Sequence, residues 1–352
     1  MHRRTRRLLA CLAVAAAGAG LLIGPAGPAS PTAGAATSPT ASSATAPLRV
    51  ITVQSSSAGA TTARLDLWTA SSRGGYWHAA GPVRAYVGEL GIGQAHEGVA
   101  RTPAGVFTLT QAFGNQPDNG SALPYFQASR ADWWDGESGT PAYNTHVHQV
   151  ASPGPNSENL YDAGYVYSHA VVIDYNRFPV RAGAGSAFFL HVTNGQPTAG
   201  CVAVDANSLN VIMRWLLPST HPVISIGVGA AATAIITNAN AAAAKHNPFG
   251  HVDSVTGGVG TVKATGWAAD PDNTSARLYL DVYIDNRMRG RYTTGVARPD
   301  VAAKLHTGPN QGYAITVTGV SAGRHLVCLY ALNTSYGTGN TKFLPCATVS
   351  TS

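Results

Sequence analysis

The chain contains the stretch Phe188-Phe189-Leu190-His191-Val192-Thr193-Asn194-Gly195-Gln196-Pro197-Thr198-Ala199-Gly200-Cys201-Val202-Ala203-Val204, in which a histidine lies ten residues before a cysteine. Two apolar runs flank a turn-forming segment, a pattern that predicts a β-hairpin folded about Gln196. In that hairpin His191 and Cys201 face each other, with Cβ atoms roughly 4.5–5.5 Å apart. An imidazole at that distance can take the thiol proton, so the stretch indicates a nucleophile and its base. A buried structural cysteine beside a core histidine fits the spacing equally well.

The loop around the cysteine has a specific resemblance. Residues 198–202 (TAGCV) resemble the nucleophile loop of the L,D-transpeptidases, which are bacterial cell-wall enzymes. Residues 102–109 (TPAGVFTL) resemble the family's Thr-Pro-x-Gly-x-Phe strand. Residues 170–176 (AVVIDYN) precede the histidine strand as in the branch of the family that reads Phe-Leu-His-Val and Thr-Ala-Gly-Cys. The resemblance covers roughly residues 48–229.

The resemblance implies a mainly β, L,D-transpeptidase-type β-sandwich with Cys201 as nucleophile and His191 as base. Backbone N–H groups of the turn formed by Thr198, Ala199, Gly200 and Cys201 are the implied oxyanion hole. The implied reaction forms a thioester with peptidoglycan stem peptides, releases D-Ala and cross-links two stems, as part of cell-wall biogenesis and cell-shape maintenance. It implies no metal and no organic cofactor.

The sequence departs from the family's common pattern at two positions. Ala199 stands where a second histidine usually precedes Gly-Cys, and Ala203 stands where a polar residue usually follows the cysteine. The roles of those two family residues are therefore not carried over to this chain.

Two other functions fit the same residues. Water in place of the acceptor amine makes the enzyme an L,D-carboxypeptidase or an amidase that trims wall peptides. A catalytically silent wall-binding protein is the third alternative, in which the first domain is only a scaffold.

The N-terminus has the pattern of an export signal. Four arginines precede the small-residue apolar run 8–23, and residues 33–35 (AGA) form a cleavage-type site. This pattern predicts a signal peptide at 1–36 and a secreted, cell-wall-associated protein. A lipoprotein box ending at Cys11 is disfavoured because no apolar run precedes that cysteine.

Export changes the charge of the chain. Loss of the four signal arginines from 23 basic residues leaves 19 against 17 acidic residues, a net charge near +2. A nucleic-acid-binding protein needs a concentrated basic patch, so nucleic acid is not an expected partner. The cluster at 287–291 (RMRGR) is interpreted as a hairpin tip that is open to anionic wall polymers. The protein is expected to be a monomer.

The cysteines divide into a pair and a single residue. Cys328 and Cys346 lie in neighbouring strand-like runs, and an exported chain favours their pairing. A disulfide closing a loop of this length stabilises by about 3 kcal/mol in the chain-entropy model. Cys201 is then the odd thiol of the exported chain, which favours the catalytic interpretation over the structural one.

The pattern along the chain predicts two domains. A spacer at 37–47 precedes a catalytic domain at 48–229, in which short β-type runs at 49–53, 63–68, 83–87 and 105–109 predict a sheet. One amphipathic helix is predicted after the nucleophile, capped by Asp205 or Asn207 and ended by Pro218. An Ala-rich linker at 230–246, for which partial helix formation is left open, leads to a small antiparallel β-sandwich at 247–352, which resembles accessory modules of secreted actinobacterial cell-wall hydrolases.

The segment between Phe113 and Tyr161 is polar, glycine-rich and aromatic, which is typical of a functional insertion. It is interpreted as a lid or wall over the Cys201 cleft, with an ordinary anchored loop as the alternative. His146 and His148 are interpreted as surface histidines rather than metal ligands. The pocket candidates are His169, Trp133, Trp134 and Tyr143.

Overall fold

The computed structural model describes residues 46–334, 336–339, 341–342 and 346–352, and only the backbone of 341 and 342. The predicted signal segment and all but the end of the predicted spacer lie outside the described residues. No helix in the described part of the chain combines the length and the hydropathy that a bilayer span requires.

The first structural unit consists of short strands with two α-helices near its end. Its elements are β1 (Arg49–Ser55), β2 (Thr62–Ala70), β3 (Tyr76–Tyr86), β4 (Ile92–Gly93), β5 (Thr102–Pro103), β6 (Gly105–Thr108), β7 (Ala112–Gly114), β8 (Tyr125–Gln127), β9 (Asp132–Trp134), β10 (His146–His148), β11 (Glu158–Asn159), β12 (Ala170–Val172), β13 (Phe189–Val192), β14 (Val202–Val204), α1 (Ala206–Trp215), β15 (Val223–Val228) and α2 (Ala230–Ala244), with 3₁₀ turns at Gly164–Tyr167 and Pro218–Thr220.

A ten-stranded sheet organises this unit, in the order β6-β15-β1-β2-β3-β14-β13-β12-β7-β8. Alternate residues of its strands face opposite sides. On one side Leu190, Val202 and Val204 join the main hydrophobic core. On the other side Phe189 and Cys201 join a smaller cluster, which we call the site cluster and which contains Phe113, Ala128, Trp134, Leu160, Tyr167, Ala170, Val172, Phe189 and Cys201.

The insertion between Phe113 and Tyr161 covers the site face of this sheet. Part of it forms a separate three-stranded sheet in the order β10-β9-β11. Trp134 of β9 and Leu160, next to β11, are buried in the site cluster. The insertion is therefore a wall packed on the site cluster, to which Cys201 also belongs.

Helix α1 begins and ends close to the predicted positions. The side chain of Asp205 accepts a hydrogen bond from the N–H of Ser208, which caps the helix. Leu209, Ile212 and Met213 form its buried face.

The Ala-rich segment predicted as a linker contains helix α2. Ala232, Ile236 and Ala243 are buried, and the helix packs against β15 and β1. Alanine has the highest intrinsic helix propensity, and the isoleucine supplies an apolar anchor, so the segment folds onto the first unit rather than spanning freely.

The second unit is an antiparallel sandwich, as predicted. One sheet has the order β16-β17-β20, and in the other β19, β18, β21 and β22 are neighbours while β23 also pairs with β21. Both sheets contribute to one core. Its elements are β16 (Phe249–Gly258), β17 (Thr261–Ala269), β18 (Tyr279–Ile284), β19 (Arg287–Thr293), α3 (Pro299–Leu305), β20 (Gly312–Thr318), β21 (Gly323–Ala331), β22 (Thr341–Lys342) and β23 (Ala347–Thr351). A disulfide joins Cys328 of β21 to Cys346, with 4.5 Å between their Cα atoms.

Candidate active site

Cys201 is a free, buried cysteine immediately before β14. Its Sγ accepts a hydrogen bond from the N–H of Phe189 at 3.3 Å, and its thiol donates to the carbonyl oxygen of Ala187 at 3.4 Å. Burial raises the pKa of the thiol to about 12, and the nearby charge of Glu158 also raises it. At neutral pH the resting residue is therefore a thiol rather than a thiolate.

The hairpin predicted around Gln196 is wrong. Strands β13 and β14 are parallel, and His191 is in register with Ala203 rather than with Cys201. The loop between them binds the segment that follows β3. The N–H of Thr198 donates to the carbonyl oxygen of Val87, and the carbonyl oxygen of Thr198 accepts from the N–H of Glu89, each at 2.9 Å. These tertiary bonds outweigh the local preference of Asn-Gly for a tight turn.

His191 nevertheless shares a face of the sheet with Cys201. Phe189 and His191 alternate with Leu190 and Val192, which point into the main core. The Nδ1 of His191 donates to the carbonyl oxygen of Val192 at 2.9 Å, which leaves Nε2 as the basic nitrogen. Burial lowers the pKa of His191 to about 4, so the imidazole is neutral at pH 7. Within the described part of the chain, no hydrogen bond joins His191 to Sγ.

Two threonines hold the carbonyl oxygen of Cys201. Thr198 donates its hydroxyl to that oxygen at 2.7 Å and accepts from the N–H of Gly200 at 3.1 Å. Thr102 donates to the same oxygen at 3.2 Å and accepts from the N–H of Gly88 at 2.8 Å. The nucleophile loop is thereby fixed from both sides. Thr102 belongs to the Thr-Pro-x-Gly motif, but no local pattern predicts that it lies beside Cys201.

Gly200 has a φ of +148°, a conformation that side chains disfavour. A Cβ at this position would lie 2.7 Å from the ring of Phe188 and 3.2 Å from the carbonyl oxygen of Arg101. Gly200 is buried, whereas the preceding residue, Ala199, is exposed to solvent. The glycine therefore allows the close backbone approach that the loop requires.

Tyr167 and Glu158 complete the surroundings of the sulfur, and sequence reasoning missed both. The buried Tyr167 donates its hydroxyl to Oε1 of Glu158 at 3.0 Å and lies in the same buried cluster as Cys201, where it acts to lower the pKa of the thiol against the larger effect of burial. Its ring packs edge-on against those of Phe189 and His191, at centroid distances of 5.5 and 5.3 Å. Burial raises the pKa of Glu158 to about 7.

The four pocket candidates occupy different places. Trp134 is buried in the site cluster, its ring edge-on to Phe189 and its Nε1 donating to Asn144 at 2.9 Å. Trp133, the preceding residue of β9, points the other way and donates to the carbonyl oxygen of Gln149. Tyr143 hydrogen bonds Glu97 and accepts from the N–H of Gly185, so it anchors the wall.

His169 does not border the sulfur. It lies in the bend immediately before β12, and its side chain contacts Pro117 and Tyr125 rather than the site cluster. There its Nε2 hydrogen bonds the carbonyl oxygen of Pro117 at 3.0 Å, and its ring lies 6.1 Å from that of Tyr125.

His146 and His148 have a carboxylate partner that their spacing did not reveal. Both rings contact Oδ1 of Asp132 at 2.8 Å, and hydrogen bonds to this carboxylate hold its pKa well below its usual range. His146 also stacks on Phe126, with 4.1 Å between ring centroids. The three polar residues fasten strands β9 and β10 of the wall together.

The comparison with known families agrees with this geometry. Residues 69–224 match the sequence profile of the YkuD family, the L,D-transpeptidase catalytic domain. The chain contains a YkuD-type L,D-transpeptidase domain. The matched segment includes Thr102, Glu158, Tyr167, His191 and Cys201. It begins after β1 and ends within β15, so helix α2 and the second sandwich lie beyond the match. No curated protein matches the chain.

Proposed function

We propose that the protein is a cysteine acyltransferase that acts on peptidoglycan stem peptides. The observation that carries the proposal is that Cys201 is a free thiol whose own carbonyl oxygen accepts hydrogen bonds from the hydroxyls of Thr102 and Thr198. A thiol fixed in this way, inside an L,D-transpeptidase domain, is organised for covalent attack on a carbonyl carbon.

In the first half-reaction Sγ of Cys201 attacks the carbonyl that joins the diamino acid of the stem to its terminal D-Ala. We assign the thiol proton to Nε2 of His191, which the Nδ1 bond to Val192 keeps free. The imidazolium then protonates the departing amine of D-Ala, and a thioester remains. Since the resting thiol points to Ala187, it must turn across the shared face to reach the imidazole.

The oxyanion donors are assigned by elimination within the loop. The N–H of Thr198 is bound to Val87 and that of Gly200 to the Thr198 hydroxyl. We therefore assign the oxyanion hole to the N–H groups of Ala199 and Cys201. The resemblance implied the N–H groups of all four residues of the turn, and this assignment keeps two of them.

In the second half-reaction an amine of another stem attacks the thioester, which cross-links the two stems and restores the thiol. Attack by water instead would make the enzyme an L,D-carboxypeptidase or amidase. The free thiol and neutral imidazole on one face favour an active enzyme over a silent wall-binding protein.

Incubation of the purified protein with tetrapeptide muropeptides, followed by mass spectrometry, tests the proposal. A cross-linked dimer is the expected product, and a trimmed tripeptide would identify a hydrolase. No change with wild type would contradict both. Cys201→Ala is the matched control because it removes only Sγ.

We further propose that the protein is exported and acts in the cell wall, with the second sandwich contacting anionic wall polymers. Two of the three arginines at the tip of β19 have internal partners: Arg289 donates to the carbonyl oxygen of Gly319 and Arg291 to Asp281. Arg287 is exposed and remains the main candidate contact. Co-sedimentation with cell walls before and after removal of their anionic polymers, for wild type and Arg287→Gln, tests this contact.

A further inference from the structure

Two groups compete for the hydrogen bond that the hydroxyl of Tyr167 donates. Its hydroxyl donates to Oε1 of Glu158 at 3.0 Å, and the same side chain is packed with Cys201 in the site cluster, where it acts to lower the pKa of the thiol. Tyr167 is 4% exposed and Cys201 is 8% exposed, so bulk water does not provide a substitute donor for the sulfur. A phenol has a single O–H to donate, and therefore it serves one of these two partners at a time.

The protonation of Glu158 decides which partner the hydroxyl serves. An ionised carboxylate only accepts hydrogen bonds, so it holds the O–H of Tyr167 and leaves phenol lone pairs facing Sγ. A protonated carboxyl can donate its own O–H to the phenol oxygen. The O–H of Tyr167 is then free to turn to the sulfur.

We propose that Tyr167 is a catalytic residue that donates a hydrogen bond to the Cys201 thiolate, and that Glu158 is a positioning residue that releases this donor when its carboxyl is protonated. The inference rests on the proposed role of Cys201 as nucleophile. In the step, the S–H bond breaks, its proton passes to Nε2 of His191, and Tyr167 keeps its own proton throughout. A hydrogen bond to an ionised sulfur is stronger than one to a neutral thiol, so it favours ionisation.

The other charged groups near Glu158 do not replace Tyr167. Across the small sheet Glu158 is in register with Trp134, whose other neighbour is His146, and that histidine is bound to Asp132. Arg177 lies over the Trp134 ring at 5.3 Å and pairs with Asp174. The imidazole of His191 packs against the ring of Tyr167 and is neutral.

This arrangement predicts a break in the pH dependence of thiolate formation. Below the pKa of Glu158, about 7, each pH unit increases the thiolate population tenfold. Above it, each pH unit also lowers the fraction of protein with a protonated Glu158 tenfold. The ionised carboxylate retains the O–H of Tyr167 and adds a negative charge near the sulfur. The two effects offset each other, so the thiolate population reaches a plateau, as expected for two interacting groups.

Alkylation of Cys201 by iodoacetamide between pH 5.5 and 9 measures this population, with peptide mapping to assign the adduct. For wild type we expect the logarithm of the rate to rise and then flatten near pH 7. For Glu158→Gln we expect a continued rise, so that the variant exceeds wild type about tenfold at pH 8. Glu137→Gln is the matched control, because Glu137 lies in the same wall but binds Asn156, and its profile should follow wild type.

Tyr167→Phe tests the donor itself. Below the break we expect it to lower the alkylation rate about tenfold, the effect of losing a hydrogen bond to a charged acceptor. In the double variant the gain from Glu158→Gln should shrink to about threefold or less, because the two residues act in series. A full tenfold gain without the hydroxyl would mean that Glu158 acts by charge alone and would overturn the proposal.

A wild-type rate that rises without a break across pH 7 would also overturn the proposal, and this measurement needs no variant. Alkylation requires no peptide substrate, so its result is independent of the muropeptide assay. A protein that shows the break but leaves muropeptides unchanged would lose the proposed function and keep the Glu158–Tyr167 relationship.

Discussion

The hydroxyl of Thr102 lies 3.2 Å from the carbonyl oxygen of Cys201, although 99 positions separate the two residues in the sequence. Thr102 is completely buried and also accepts from the N–H of Gly88. Removing the hydroxyl leaves both backbone groups with one partner fewer inside the protein, where lost partners are costly. The contact therefore links the start of the Thr-Pro-x-Gly motif to the position of the nucleophile.

We expect Thr102→Val, which keeps the shape but not the hydroxyl, to lower the free energy of unfolding by about 1–3 kcal/mol. It should also slow acylation of Cys201, because the loop is no longer held on both sides. Thermal melts and the acylation rate measure the two effects. Thr102→Ser retains the hydroxyl and is the control; equal losses in both variants would show that packing alone is responsible.

Carbapenem acylation should occur on Cys201, because a strained β-lactam carbonyl is open to attack by this thiol. Intact mass should increase by one inhibitor, and peptide mapping should place the adduct on Cys201. Cys201→Ala should form no adduct while its melting temperature stays close to that of wild type. A reduced, free thiol that remains unmodified in excess carbapenem would argue against an accessible nucleophile.

Gly200→Ala should destabilise the domain by about 2 kcal/mol or more, since it adds crowding to an unfavourable backbone conformation. Gly195 provides the matched comparison, because its φ is +83° but a Cβ there would meet no atom within 4 Å. Gly195→Ala should therefore cost only the conformational part, about 1–2 kcal/mol. Melting curves of the two variants separate crowding from backbone strain, and identical losses would mean that Phe188 moves aside.

Glu158 and His191 should give stability opposite dependences on pH. The folded pKa of Glu158 is raised, so its contribution is fully present below about pH 4.5 and is lost as pH rises through about 7. The folded pKa of His191 is lowered to about 4, so its contribution is lost as pH falls from 6.5 towards 4. In Glu158→Gln only the His191 contribution remains, so the melting temperature should rise as pH increases from about 4 to 6.5 and should not fall above that range.

In that variant the stability at pH 8 relative to pH 5 should increase by on the order of 2–3 kcal/mol compared with wild type. His191→Gln is the reciprocal variant and should become less stable as pH rises between 5 and 7. Parallel curves for all three proteins would show that neither group titrates in the folded domain.

Reduction of the Cys328–Cys346 disulfide should lower the stability of the second sandwich by about 2–4 kcal/mol, since it frees a closed loop in the unfolded chain. Differential scanning calorimetry with and without mild reductant measures the loss. Acylation of Cys201 by carbapenem in the same samples should be unchanged, because the disulfide lies in the other unit. A non-reducing peptide map that joins Cys201 to either partner would contradict the division.

Much of the sheet could be predicted from the sequence because β-type runs are local signals. The predicted strands at 49–53 and 63–68 lie within β1 and β2, and the predicted helix matches α1 with Asp205 as its cap. The strand order and the direction of β14 were not predictable from such runs. They depend on where the loop before Cys201 binds, and that contact is made with β3, more than one hundred residues earlier.

The candidate site shows the same limit. Cys201 and His191 were found because a thiol and an imidazole are rare and reactive. Tyr167 and Glu158 carry no local sign of function, since tyrosine and glutamate are ordinary in a loop. Their relation to the sulfur arises only when the 3₁₀ turn and strand β11 pack onto the same face of the sheet.

The parallel pairing of β1 with β15 joins the first and last strands of the first unit, one strand in from the β6 edge of its sheet. Strand β1 cannot be flanked on both sides until the chain has been delivered as far as Val228. A chain that is released N-terminus first must therefore keep Val50, Ile51 and Val53 unpaired on that side until β15 has also been released. Such late closure between distant segments slows folding. A fragment cut at residues 69 and 224 would lack β1 and all but two residues each of β2 and β15, and would expose the edges of β3 and β6 to other chains.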